Sequence, residues 1–191
     1  MIHLQQLRSL VPSVLIAVLS LTSPFAFAGE RVALETSKGT IEIELDSAKA
    51  PITVANFLKY VDSGYYNGVV FHRVIPGFMI QAGGYDAKLV ARVPNAPIVN
   101  ESKNGLRNVT GAVSMARLNA PDSASGQFFI NVADNAELDA RAGRPGYAVF
   151  GKVVAGMDVV DSIAAVNTGT AGGMDDVPIE SVVIVKAHRT K

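Results

Sequence analysis

The residues richest in chemistry fall in one stretch, Val69 to Gly84 (VVFHRVIPGFMIQAGG), where His72, Arg73 and Gln81 interrupt a strongly apolar run. An arginine in such a segment either snorkels to water along its methylene stem or points into a polar-lined cleft, because burying it unpaired is too costly. It presents several N–H donors in a rigid fork. A second stretch, Ser125 to Val132 (SGQFFINV), follows Met115-Ala116 and sets Gln127 between small and aromatic residues.

Other chemistries lack their residues. With no Cys in the chain, thiol nucleophiles, disulfides and Cys-ligated zinc or iron–sulfur clusters are excluded. Past residue 28 the histidines are His72 and His188, and no G-x-S-x-G elbow is present, which argues against a Ser-His-Asp hydrolase. Asp134 to Asp139 (DNAELD) clusters acids without the spacing or central Gly of a calcium loop and reads as a solvated loop. Gly83-Gly84 and Gly172-Gly173 have no phosphate-loop context and read as turns, while Asn108-Val109-Thr110 fits a glycosylation sequon. No metal or cofactor is implied.

The elements that must position these residues are mainly strands. Arg31 to Glu35 and Thr40 to Leu45 alternate, with Val32, Leu34, Ile41, Ile43 and Leu45 on one face, and Ser37-Lys38-Gly39 reads as a hairpin turn. Further strands are expected at Val69 to Ile75, Met79 to Ala82, Ala112 to Ala116, Gln127 to Val132, Tyr147 to Val153 and Ile179 to Ala187. Two segments switch to the helical period: Pro51 to Ser63, with Val54, Phe57, Leu58 and Val61 on one face and Gly64 as C-terminal cap, and Met157 to Ala165. Many strands and two helices in one domain imply a closed β-barrel with its ends covered by helices, because closure removes exposed sheet edges.

FHRVIPGFMIQAGG at Phe71 to Gly84, SGQFFINV at Ser125 to Val132 and YAVFGKVVAGMDVVD at Tyr147 to Asp161 resemble, in order and spacing, the cyclophilin family of peptidyl-prolyl cis–trans isomerases. The resemblance runs from about Val32 to Val185. It implies a mainly β fold, a closed eight-stranded antiparallel β-barrel capped by two α-helices. It places the catalytic arginine at Arg73, a pocket for the substrate proline ring at Phe78, Met79, Phe129 and Leu138, a substrate-backbone contact at Gln81, and a small residue beside the peptide at Ala116. Three positions depart from the family pattern: Glu137 replaces a common Trp, Tyr147 a common His, and Arg117 a common Asn. They leave Arg73 and the apolar pocket intact but alter the rim, so cyclosporin is expected to bind weakly.

The chemistry implied is physical rather than covalent. The X-Pro bond isomerises over a barrier of ~18–20 kcal/mol set by amide resonance. In the twisted transition state the prolyl nitrogen regains its lone pair, so a donor fixed on it stabilises that state above either planar one. A non-catalytic module holding proline segments would use the same groove but has no need of Arg73 as transition-state donor.

Length and charge suit this reading. The chain has 191 residues, 49% hydrophobic, with 17 basic and 17 acidic side chains, enough for one core and without the basic excess of a nucleic-acid or membrane-surface binder. Residues 1–28 look like a cleaved export signal: Arg8 in the n-region, an apolar run from Leu10 to Leu21, and Ala26-Phe27-Ala28 as cleavage pattern. The run is shorter than the ~20 residues of a membrane span. Residues 29–191 are therefore expected to form one exported isomerase domain, periplasmic in a Gram-negative cell, monomeric, free of stable membrane association, and acting on proline-containing unfolded or newly exported polypeptides.

Overall fold

The computed structural model describes residues 29–190. The expected strands form, some with shifted ends, except that Val69 to Ile75 forms two rather than one: β1 (Arg31–Thr36), β2 (Gly39–Leu45), β3 (Val69–Val70), β4 (Arg73–Ile75), β5 (Met79–Ala82), β6 (Ala112–Met115), β7 (Phe128–Asn131), β8 (Val149–Ala155) and, late in the chain, β11 (Val183–Thr190). Between β8 and β11 lies a hairpin that the sequence reading does not anticipate, β9 (Thr168–Ala171) and β10 (Met174–Pro178).

The expectation of a closed eight-stranded barrel is corrected. Nine strands form one curled antiparallel sheet in the order β3-β11-β1-β2-β8-β6-β7-β5-β4, open between β3 and β4, and β9 and β10 pair only with each other. The extra strand arises because the apolar stretch Val69 to Ile75 breaks in the middle. Phe71 N donates to Val182 O while His72 N donates to Gln81 O, so neighbouring residues serve opposite edges of the sheet. β3 pairs with β11 and β4 with β5, and the gap is crossed by the chain itself rather than by a hydrogen-bonded ladder.

Helix α1 (Pro51–Asp62) buries Val54, Phe57, Leu58 and Val61, the face its periodicity indicates. Pro51 occupies the first turn, where its missing N–H costs nothing. The N-cap Ala50 supplies no side-chain cap; instead the Glu101 carboxylate accepts from Ile52 N (3.1 Å), Thr53 N (2.8 Å) and Thr53 Oγ1 (2.7 Å). Gly64, at φ +69°, ends the helix in the left-handed region. The helix packs into the core of the curl through Phe57, whose ring lies 5.4 Å from Phe128 and 5.0 Å from Phe150. Helix α2 (Met157–Ala164) buries Val160, Ile163 and Ala164 against the same core.

Candidate active site

Strand parity divides β4, β5, β7 and β6 into two faces. Val74, Ile80, Ile130 and Val113 lie opposite one another in register and belong to the core inside the curl. The alternate positions therefore point outward. There Arg73 lies opposite Gln81, Gln81 opposite Phe129, and Phe129 opposite Ser114, a row running directly across the sheet. A second row joins Ile75, Met79 and Asn131.

Loops bring the remaining residues to this face. Phe78 sits in the turn between β4 and β5, and its carbonyl accepts from Val132 N (3.0 Å) and Asn135 Nδ2 (2.9 Å). Leu138 ends the 3-10 turn Ala136–Leu138, and its carbonyl accepts from Tyr147 N at 2.9 Å. The Tyr147 ring meets Phe129 edge-on at 5.6 Å. Ala116 N donates to Gln127 O at 3.0 Å, and Gln81 Nε2 donates to Gln127 Oε1 at 2.8 Å. Arg73, Met79, Gln81 and Phe129 thus share one face of the sheet, and the contacts above tie Phe78, Ala116, Leu138 and Tyr147 to its neighbours, an apolar side and a polar one.

The polar side is a cleft of about 410 Å³ among His72, Arg73, Gln81, Tyr85, Gln127 and Met174 to Asp176. A larger, more apolar groove of about 1110 Å³ lies elsewhere, by Leu45, Leu106, Val109 and Val153, and holds none of the residues singled out by chemistry. Arg31, Arg92, Arg107, Arg117, Arg141 and Arg189 all donate hydrogen bonds. The side chains of Arg73, 44% exposed, and of Arg144 make none among the described residues; the contact of Arg73 is a long one, Nε to Asp176 Oδ2 at 3.8 Å.

His72 is neutral at pH 7, because burial pushes its pKa down to about 4. Between pH 6.5 and about 4 the unfolded chain therefore binds a proton that the folded one refuses, and stability falls as pH drops through that window, by about 3 kcal/mol in all. Urea titrations should show this slope in the wild type and not in His72→Asn; equal slopes would remove His72 as the cause.

The apolar side rests on a buried polar network absent from the sequence reading. Asn108 Oδ1 accepts from Ser114 Oγ (2.7 Å) and Asn131 Nδ2 (3.3 Å), while Asn108 N and Nδ2 donate to Asp139 Oδ1 at 2.7 and 3.0 Å. The DNAELD segment is therefore only partly the solvated loop expected: Asp134 and Glu137 are exposed, but Asp139 is largely covered. Burial would push its carboxyl up, yet the Asn108 hydrogen bonds and Arg107 outweigh that and hold it below the usual range. Asn108 is 1% exposed and engaged on every side, so the sequon is not a surface acceptor. Gly83-Gly84 is likewise more than a turn, since Gly83 lies tight against Gly126 and Gln127. Arg117, a departure from the family pattern, stacks over Tyr147 at 4.7 Å and donates to Gly146 O and Pro145 O. The signal for Gln127 lay in SGQFFINV; Asp176 had none.

Comparison with known proteins identifies the family. The profile of the cyclophilin type peptidyl-prolyl cis-trans isomerase/CLD family matches residues 31–189. The chain is 53% identical over 181 residues to peptidyl-prolyl cis-trans isomerase A of Dickeya dadantii, covering 92% of this chain and 95% of that protein. It is 53% identical over 168 residues to the peptidyl-prolyl cis-trans isomerase of Acinetobacter baylyi, covering 88% and 89%. Its fold matches the crystal structure of a Cryptosporidium parvum cyclophilin type isomerase with TM-score 0.71 at 25% identity, covering 85% of this chain and 98% of that one. That protein has also been crystallised in the presence of the dipeptide Ala-Pro. With a profile match from β1 to β11 and relatives of this identity, the chain belongs to the cyclophilin family of peptidyl-prolyl cis–trans isomerases.

Proposed function

We propose that this peptidyl-prolyl isomerase works by presenting the Arg73 guanidinium to the prolyl nitrogen of a twisted X-Pro bond, with Phe78, Met79, Phe129, Leu138 and Tyr147 holding the proline ring. The observation that carries the reading is the outward row Arg73–Gln81–Phe129, which sets an uncommitted multi-donor, an amide and an aromatic wall side by side. Gln81 gives one amide hydrogen to Gln127 and keeps a second hydrogen and its carbonyl for the substrate backbone. Ala116, small and next to Gln127, leaves room for the chain to pass. No bond to the enzyme forms and no proton is exchanged. The Ala-Pro dipeptide studied with the Cryptosporidium parvum protein supports a proline-containing peptide as ligand.

The test is a titration with a short Ala-Pro-containing peptide followed by backbone amide NMR. Shifts should concentrate at Arg73, Gln81, Ala116, Phe129 and Tyr147. Shifts confined to the groove near Leu106 and Val153 would overturn the assignment.

The clients are proline-containing polypeptides unfolded or newly exported, most simply in a Gram-negative periplasm. Residues 1–28, the proposed export signal, lie outside the described residues; cleavage after Ala28 leaves every described element whole. The mass of the protein from a periplasmic extract should correspond to residues 29–191, and a full-length mass in the cytosol would overturn this address. It acts as a monomer, since the edge strands β3 and β4 are only two and three residues long. The rim of Arg117, Glu137 and Tyr147 supports weak cyclosporin binding.

A further inference from the structure

The hairpin β9–β10 stands apart from the main sheet and packs on β4, the strand that carries Arg73. Its register breaks between Met174 and Val177, so Asp175 and Asp176 are the unpaired residues of a bulge. Asp176 sits there at φ +60°, a left-handed conformation that costs a side-chain-bearing residue free energy. Glycine, free of that cost, occupies the two positions before Met174, yet the acid stands at the strained one. Bulges re-aim side chains, and this one splits its two acids: Asp175 Oδ1 accepts from Thr170 Oγ1 at 2.9 Å within the hairpin, whereas Asp176 Oδ2 comes within 3.8 Å of Arg73 Nε.

The geometry points to Asp176 as a positioning residue for Arg73, holding the Nε edge of the guanidinium so that its outer N–H groups face the cleft. This rests on Arg73 being the transition-state donor. A long, half-exposed arginine with no hydrogen bond would otherwise sample many rotamers, and a donor stabilises a transition state only if it is already in place when charge develops. Asp176 is the acid within ion-pair distance of Arg73 among the described residues. The contact adds little to stability, as exposed pairs do; its effect lies in orientation.

The experiment compares Asp176→Asn and Arg73→Ala with the wild type on an X-Pro peptide, together with the 15N order parameter of the Arg73 Nε–H group. Asn tolerates the left-handed backbone and keeps the side-chain size, so the hairpin is retained. Asp176→Asn should lower kcat about three- to tenfold with KM within about twofold, and the Arg73 Nε–H order parameter should fall; Asp176→Glu should recover part of both. If Arg73→Ala is inactive while Asp176→Asn keeps wild-type kcat, the positioning role alone is wrong. A loss of kcat with the order parameter unchanged also overturns it, since Asp176 would then act by another route. Wild-type rates in Arg73→Ala would instead defeat the reading of Arg73.

Discussion

Arg73→Ala should lower kcat/KM for isomerisation of an X-Pro peptide by about 100- to 1000-fold, nearly all of it in kcat. The size follows from losing one fixed donor to a developing lone pair in a partly desolvated site, about 3–4 kcal/mol, with each 1.4 kcal/mol worth tenfold. The partition follows from the chemistry. In either planar ground state the prolyl lone pair is delocalised into the amide and offers the arginine little, so KM, which the proposed mechanism assigns to the apolar pocket and Gln81, should move little. The variant should remain folded, with a thermal midpoint within about 2 °C of the wild type, because Arg73 is 44% exposed and makes no hydrogen bond among the described residues. Magnetisation-exchange NMR on a short X-Pro peptide measures both constants directly. Equal rates for the two proteins would remove the proposed mechanism.

The second large effect concerns stability. Gly83 follows β5 at φ +96°, and a Cβ there would run into Gly126 O and lie 2.9 Å from Gln127 Cα. These neighbours are backbone atoms and cannot swing aside like the tip of a flexible side chain. Gly83→Ala should therefore cost about 4 kcal/mol, combining left-handed strain with the shift of the opposing segment. Because that segment carries Gln127, the partner of Gln81, the variant should also lose activity at temperatures where it is still folded. Urea unfolding gives the first quantity and peptide kinetics the second. A loss below about 1 kcal/mol would show that the two segments separate freely.

The two faces of β1 and β2 and the buried face of α1 are legible because each depends on spacing within a few residues. The break at Phe71–His72 is not, since both flanks are apolar and what divides them is the choice of partner, Val182 for one and Gln81 for the other. Glu101 as the cap of α1 is hidden for the same reason: it lies far along the chain from Thr53. At the site, Arg73 and Gln81 stood out as polar residues in an apolar run and the family motifs named their neighbours. That Gln81 faces Phe129 is a matter of register between segments far apart in sequence. Asp176 lies in a polar, glycine-rich stretch with no period to read, and only the folded hairpin brings it to Arg73.

The alternation along β4, β5 and β7 has an evolutionary reading. At Val74, Ile80 and Ile130 a substitution is felt by the core, whereas at Arg73 and Gln81, on the proposed mechanism, it is felt by the ligand. Neighbours in the chain thus answer to separate selections, one for persistence in the cell and one for turnover. Scored for abundance and for activity in parallel, a library of variants across these strands should show the two sensitivities exchanging places at every step. A lineage could retune which chains it serves by changing every second residue while its interior stayed as it was.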